Sequence, residues 1–162
     1  MARSIGSWLS GPSQSDDPDQ RASTYPGQRL GLPETGPGSI ARFGRRIGAL
    51  CIDWLFAVGI TALAVPLGLM SREEFFYSLD ARNVALVVWL VLGVASVRMF
   101  SFTPGQLALG LKVVSVDNRA HVSFGRALAR NLLVLVVIPA LFTDADLRGL
   151  HDLATKTAVV RR

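Results

Sequence analysis

The sequence predicts an all-α membrane protein with about three hydrophobic helices, a small cytoplasmic β element and a disordered N-terminal tail. Three observations carry that prediction. Half of the 162 residues are hydrophobic and only 18% are charged, against roughly 25% charged in an average soluble domain. The mean hydropathy is +0.38, so the surplus apolar surface must face something other than water. The apolar residues are also gathered into three separate segments. Cys51 stands as the single cysteine, which excludes an extracellular disulfide scaffold and a zinc ribbon.

Residues 1–38 are expected to be a disordered, Pro/Gly/Ser-rich cytoplasmic tail, with residues 39–162 forming the transmembrane domain. Five of the eight prolines fall in the tail: Pro12, Pro18, Pro26, Pro33 and Pro37. Such composition cannot bury enough apolar surface to offset the entropy of ordering. No run of 7–15 apolar residues of the signal-peptide kind opens the chain, although Trp8 could touch a membrane surface.

The first helix is predicted over about residues 40–70. From Ile47 to Met70 the only charge is Asp53, and 24 residues at about 1.5 Å rise cover ~36 Å, enough for a ~30 Å hydrocarbon core. Pro66 should kink or end it. The second helix is predicted over 83–102, with Arg98 snorkelling near its end. The third, over 124–143, is apolar from Asn131 to Thr143. It crosses fully only if it takes in Arg126 and Arg130, and is otherwise re-entrant. Leu111–Val116 alternates like a strand, and Thr157–Val160 is a matching short strand. If the two pair, both lie on one side and the third segment does not fully cross.

Charge sets the orientation. Arg42, Arg45 and Arg46 precede the first segment, and Lys112, Arg119, Arg126 and Arg130 lie between the second and third. Positive loops stay inside, so the N-terminus is placed in the cytoplasm. The net charge of +5 is thus a topology signal. No basic soluble face with aromatic or helical readers accompanies it, so no nucleic acid is expected as a partner.

Asp53 is the most informative residue, because a carboxylate inside a bilayer is costly. Helical spacing puts it on a small-residue face with Arg46, Ala49, Ala57, Ile60, Thr61 and Ala64. A pair with Arg98 or Arg46 is expected, and Arg130 is a further candidate charge partner. Two uses fit, a helix–helix clamp and an ion or proton site. Asp144, Asp146, His151 and Asp152 cluster in sequence, but their spacing matches no calcium loop. A solvated turn with helix caps is expected there, with no metal. No catalytic signature is readable, so neither enzyme activity nor a cofactor is expected.

Four stretches carry a family resemblance. Arg45–Asp53 resembles the opening helix of RDD-family membrane proteins, a family named for an arginine and two aspartates, with Arg46 and Asp53 as the first two. Thr103–Val114 resembles the family's loop after the second helix, with Gln106 where lysine is usual. Phe124–Asn131 resembles the start of its third segment. Gly149–Val160 resembles its closing motif, with Asp152 as the second aspartate. The resemblance implies a multi-pass protein of the bacterial inner membrane, and the proline-rich leader is similar to those of actinobacterial members. It also implies a transport role, of ions, protons or small solutes; three helices enclose too little volume for a pathway in one chain, so a homo-oligomer is expected. The alternative is a non-catalytic accessory or assembly subunit docked on another membrane protein.

Overall fold

The computed structural model describes residues 24–117, 122–136 and 148–162. Trp8, His121, Asp144 and Asp146 lie outside these residues.

Helix α1 runs Phe43–Ala62, about 30 Å at helical rise. It is shorter than the expected 40–70. Residues 63–70 form turns instead, because Pro66 lacks the N–H a continuing helix needs and disfavours helical geometry just before it. A short helix α2, Arg72–Tyr77, follows. Ser71 accepts from the Glu74 N–H at 3.1 Å and the Ser71 N–H donates back to Glu74 at 2.7 Å, a reciprocal cap at the helix start. Helix α3, Leu79–Phe100, begins at Ser78, whose hydroxyl oxygen accepts from the Ala81 N–H.

Helix α4 covers Pro104–Ala108, strand β1 Leu111–Ser115, helix α5 Phe124–Leu135, helix α6 Leu150–Ala154 and strand β2 Thr157–Arg161. The strands pair antiparallel, Leu111 opposite Arg161 and Ser115 opposite Thr157. The expected β element is therefore present. Residues just before α1 join it on the far side of β2: the Ala41 N–H donates to Val159 O and the Arg161 N–H to Ser39 O, both at 2.9 Å.

This sheet gathers the start of α1, the end of α3 and the start of α5 at one end of the helices. Val113 N–H donates to Ser101 O just past α3. The main core sits at this junction, with Ala49, Val94, Val97, Leu111, Val113, Val122, Ala127 and Val159 in mutual contact. The chain leaves the sheet at Phe124 and is back at it by Leu150.

The expectation of three hydrophobic helices is met only in part. Among the described residues α3 alone is long and apolar enough to cross a membrane, and of its most apolar stretch 28% is buried. Helix α1 has comparable length but carries Arg45, Arg46 and Asp53. Helix α5 has 12 residues, about 18 Å, and residues 137–147 lie outside the described part.

Residues 24–38, which composition assigns to the tail, carry structure of their own. A 3-10 turn at Gln28–Leu30 brings Leu30 and Leu32 over Ile40, Ala158 and Val160. Apolar contact with the sheet supplies what the proline-rich composition lacks.

The β1–α5 connection is tied by an exposed ion pair. Arg126 donates to both carboxylate oxygens of Asp117, each at 2.8 Å, and the Ser115 hydroxyl also donates to Asp117. Arg126 first, then Ser115, holds the Asp117 carboxyl well below the usual carboxylate range. A depressed folded-state pKa gives stability that is present above the unfolded value near 4 and lost as pH falls below it. Asp117→Asn should therefore lower the melting temperature at pH 7, and the deficit should shrink progressively as the pH is taken below about 4. Melting curves across that range check it.

Candidate functional site

Helix periodicity puts Ala49, Asp53, Ala57 and Thr61 on one buried stripe of α1, with Arg46 partly buried below them. Ile60, expected on the same stripe, is exposed. Seven residues separate Arg46 from Asp53, ~10.5 Å along the axis, too far for a direct pair within a straight helix. The structure gives each a different partner.

Asp53 faces α4. Thr103 donates its hydroxyl to one carboxylate oxygen at 2.6 Å, and the Gly105 N–H donates to the other at 2.7 Å. Thr103 is also the N-cap of α4, accepting from the Gln106 N–H at 3.2 Å while its own N–H donates to Gln106 Oε1 at 3.0 Å. Thr103-Pro-Gly-Gln106 is thus a reciprocal cap with proline at the first helical position. Gly105 is required by close approach, since a Cβ there would lie 2.1 Å from Ala49 O on α1.

Arg46 and Arg130 converge on Asp152 instead. Arg46 Nη1 lies 2.7 Å from Asp152 Oδ2, and Arg130 Nη1 contacts Asp152 Oδ1. Arg46 Nε also donates to Ala41 O at 3.0 Å. Thr157 donates to Asp152 Oδ1 at 3.3 Å and accepts from Arg130 at 3.2 Å. His151 Nε2 is 3.4 Å from the same oxygen, its ring folded over Gly149. Asp152 has 0% of its surface exposed. The solvated turn expected at His151–Asp152 is therefore a buried anionic centre. Its burial is tolerable because two guanidiniums and a hydroxyl surround it.

Of the five residues singled out from sequence, Arg46, Arg130 and Asp152 meet in one cluster. Asp53 forms no ion pair among the described residues, and Arg98 is exposed on α3. Sequence reasoning missed Thr103, Gly105 and Gln106, although Thr-x-x-Gln is a readable capping pattern. It also missed Thr157.

Two clefts flank this polar interior. One, a small cleft with a cavity volume of about 30 Å³, is walled by Phe56, Trp89, Leu92, Asn131 and others. The second, also about 30 Å³, opens between Phe43, Arg46, Ile47 and His151. Leu50, Asp53, Gln106, Arg130 and Val134 line both.

The chain is 28% identical over 133 residues to an uncharacterized membrane protein, YteJ, of Bacillus subtilis (strain 168). That alignment covers 74% of this chain and 80% of the relative. No solved structure gives a significant match. Residues 40–156 match the model of the RDD family, a span that holds Arg46, Asp53 and Asp152. The chain belongs to the RDD family.

Proposed function

We propose that this chain is a multi-pass protein of the bacterial inner membrane, its N-terminus and sheet in the cytoplasm, that moves an ion, a proton or a small solute. Three helices enclose too little volume for a full pathway, so the working unit is a homo-oligomer. The membrane reading is supported by α3 and by large apolar side chains left exposed on α1 and α3, among them Leu55, Leu63, Val87 and Val91. The name of the Bacillus relative agrees with it.

The observation that carries the transport reading is the shared wall of the two clefts. Asp53, Gln106 and Arg130 belong to both, so a solute reaching them from either opening meets the same polar groups. Asp53→Asn in proteoliposomes should abolish flux and keep the fold. The Thr103 hydroxyl has a second lone pair with which to accept from the new amide, and one amide oxygen remains for the Gly105 N–H. Unchanged flux with correctly folded protein would sink the proposal.

A second reading, a non-catalytic accessory subunit docked on another membrane protein, is favoured by one fact. Both Asp53 oxygens already have donors within the chain. That reading expects a heterologous partner at fixed stoichiometry in mild-detergent extracts.

A further inference from the structure

We propose that the outward face of α3 seats a phospholipid with a net negative headgroup, its acyl chain along the helix and its phosphate at Arg98. The proposal rests on the membrane half of the reading above and is independent of transport.

The acyl track follows from helical spacing. Val84, Val87, Val91, Ala95 and Arg98 recur at intervals of three or four residues, so they lie on one side of α3. All five are exposed. The stripe is apolar along its length and ends in a cation. From Val87 to Arg98 the helix rises ~16.5 Å, about half of a ~30 Å hydrocarbon core, which is the depth of one leaflet. Arg98 lies in the last turn of α3, where the helix meets the sheet.

The headgroup end is argued from charge. Arg98 is exposed and forms no ion pair among the described residues, and the same holds for Arg42 and Arg45 at the start of α1. The sheet gathers both helix ends to one level. Two carboxylates near this level are already committed, Asp152 to Arg46 and Arg130, and Asp117 to Arg126. Just past α3, the Arg162 guanidinium sits 4.9 Å over the Phe102 ring, and Phe102 stacks on Phe100 at 5.8 Å. Aromatic rings at a span's end mark the level where headgroups meet hydrocarbon. Guanidiniums bind phosphate oxygens through paired N–H donors. A zwitterionic headgroup already balances its own phosphate, so exposed arginines favour a lipid whose headgroup leaves that charge uncompensated. The other end of α3 has the opposite balance, with Glu73, Glu74 and Asp80 outnumbering Arg72 and Arg82.

Two features favour a lipid over a second copy of the chain on this stripe. Close helix packing in membranes uses small residues, and Ala81, Ala85 and Gly93 of α3 are spent on the buried side. A two-fold contact between copies in one bilayer orientation would also set Arg98 against its own symmetry mate.

The test is thermal unfolding of the full chain, purified in non-ionic detergent and titrated with phosphatidylglycerol. Phosphatidylcholine and the soluble headgroup glycerophosphoglycerol are the controls. Phosphatidylglycerol should raise the melting temperature by several degrees, and neither control should. Arg98→Gln breaks no contact within the chain, so it should melt like the parent in phosphatidylcholine. It should bind phosphatidylglycerol about fivefold more weakly, the weight of one cation at an anionic surface. Arg82→Gln, at the far end of the same helix, should bind as the parent does.

Equal shifts with phosphatidylcholine, a shift with the soluble headgroup alone, or an unaffected Arg98→Gln variant would each overturn the proposal. So would efficient disulfide cross-linking between copies carrying Val87→Cys with Cys51→Ser, because a second chain would then occupy the stripe. A chain that needs detergent but ignores headgroup charge removes this proposal and keeps the membrane reading. A chain that stays in solution without detergent removes both.

Discussion

Replacing Asp152 with alanine should cost about 3–5 kcal/mol, the usual penalty for removing one partner from a buried ion pair. The wild-type carboxylate is fully buried between Arg46 and Arg130, so its loss leaves two guanidiniums in place with their partner gone. Natural domains hold only about 5–15 kcal/mol in total, so the variant should be recovered in poor yield and melt far below the parent. Thermal unfolding in detergent measures this. Adding Arg130→Met to the alanine variant should recover part of the loss by removing one of the stranded cations, and a double-mutant cycle gives the coupling. An Asp152→Ala protein with the parent's melting temperature would show that the cluster does not hold the fold together.

The second large effect is expected at Gly105. A methyl group there meets Ala49 O at 2.1 Å and Ala49 C at 2.9 Å, and both belong to the backbone of α1, which cannot rotate away. Helix α4 must move off α1, and with it go the two donors that hold Asp53. Overpacking costs about 1–3 kcal/mol, and a lost hydrogen bond to a charged group about 1.5–3 kcal/mol. Gly105→Ala should therefore be among the most damaging single-methyl changes in the chain. Gly59 provides the contrast, since an added Cβ there meets nothing within 4 Å. Gly59→Ala should melt at or slightly above the parent, because alanine favours the helix. Equal melting temperatures for the two variants would contradict the packing of α4 on α1.

Much of the architecture was legible because it rests on local pattern. The alternation at Leu111–Val116 and the apolar pair at Val159–Val160 announce strands, and they pair in register. The apolar run around Trp89 announces α3. The stripe containing Ala49, Asp53 and Ala57 follows from a period of 3.6 residues. The resemblance at four motifs supplied Arg46, Asp53 and Asp152 as residues of interest.

What stayed hidden is long-range or short. Spacing suggests that Asp53 pairs with an arginine of its own helix or the next, whereas its donors come from a five-residue helix too brief to carry a periodic signal. Asp152 reads as part of an acidic, water-facing turn, because burial of a carboxylate depends on cations brought from Arg46 and Arg130. No local rule reports that meeting. Residues 24–38 look like linker because composition counts side chains and cannot see that Leu30 and Leu32 will find a sheet.

The pair between Arg46 and Asp152 spans 106 positions, which has a consequence for biosynthesis. A ribosome adds about 5–20 residues per second, so Asp152 does not exist until roughly 5–20 s after Arg46 has been made. Through that interval α1 carries a cation whose carboxylate has yet to be translated, and β2, which follows Asp152, cannot close the sheet. The helices can be placed early, but the polar junction is completed only when the closing motif emerges. A nascent chain halted before residue 152 would therefore hold its membrane-directed segments and lack the contacts that lock them, a form that quality-control proteases could tell apart from the finished protein.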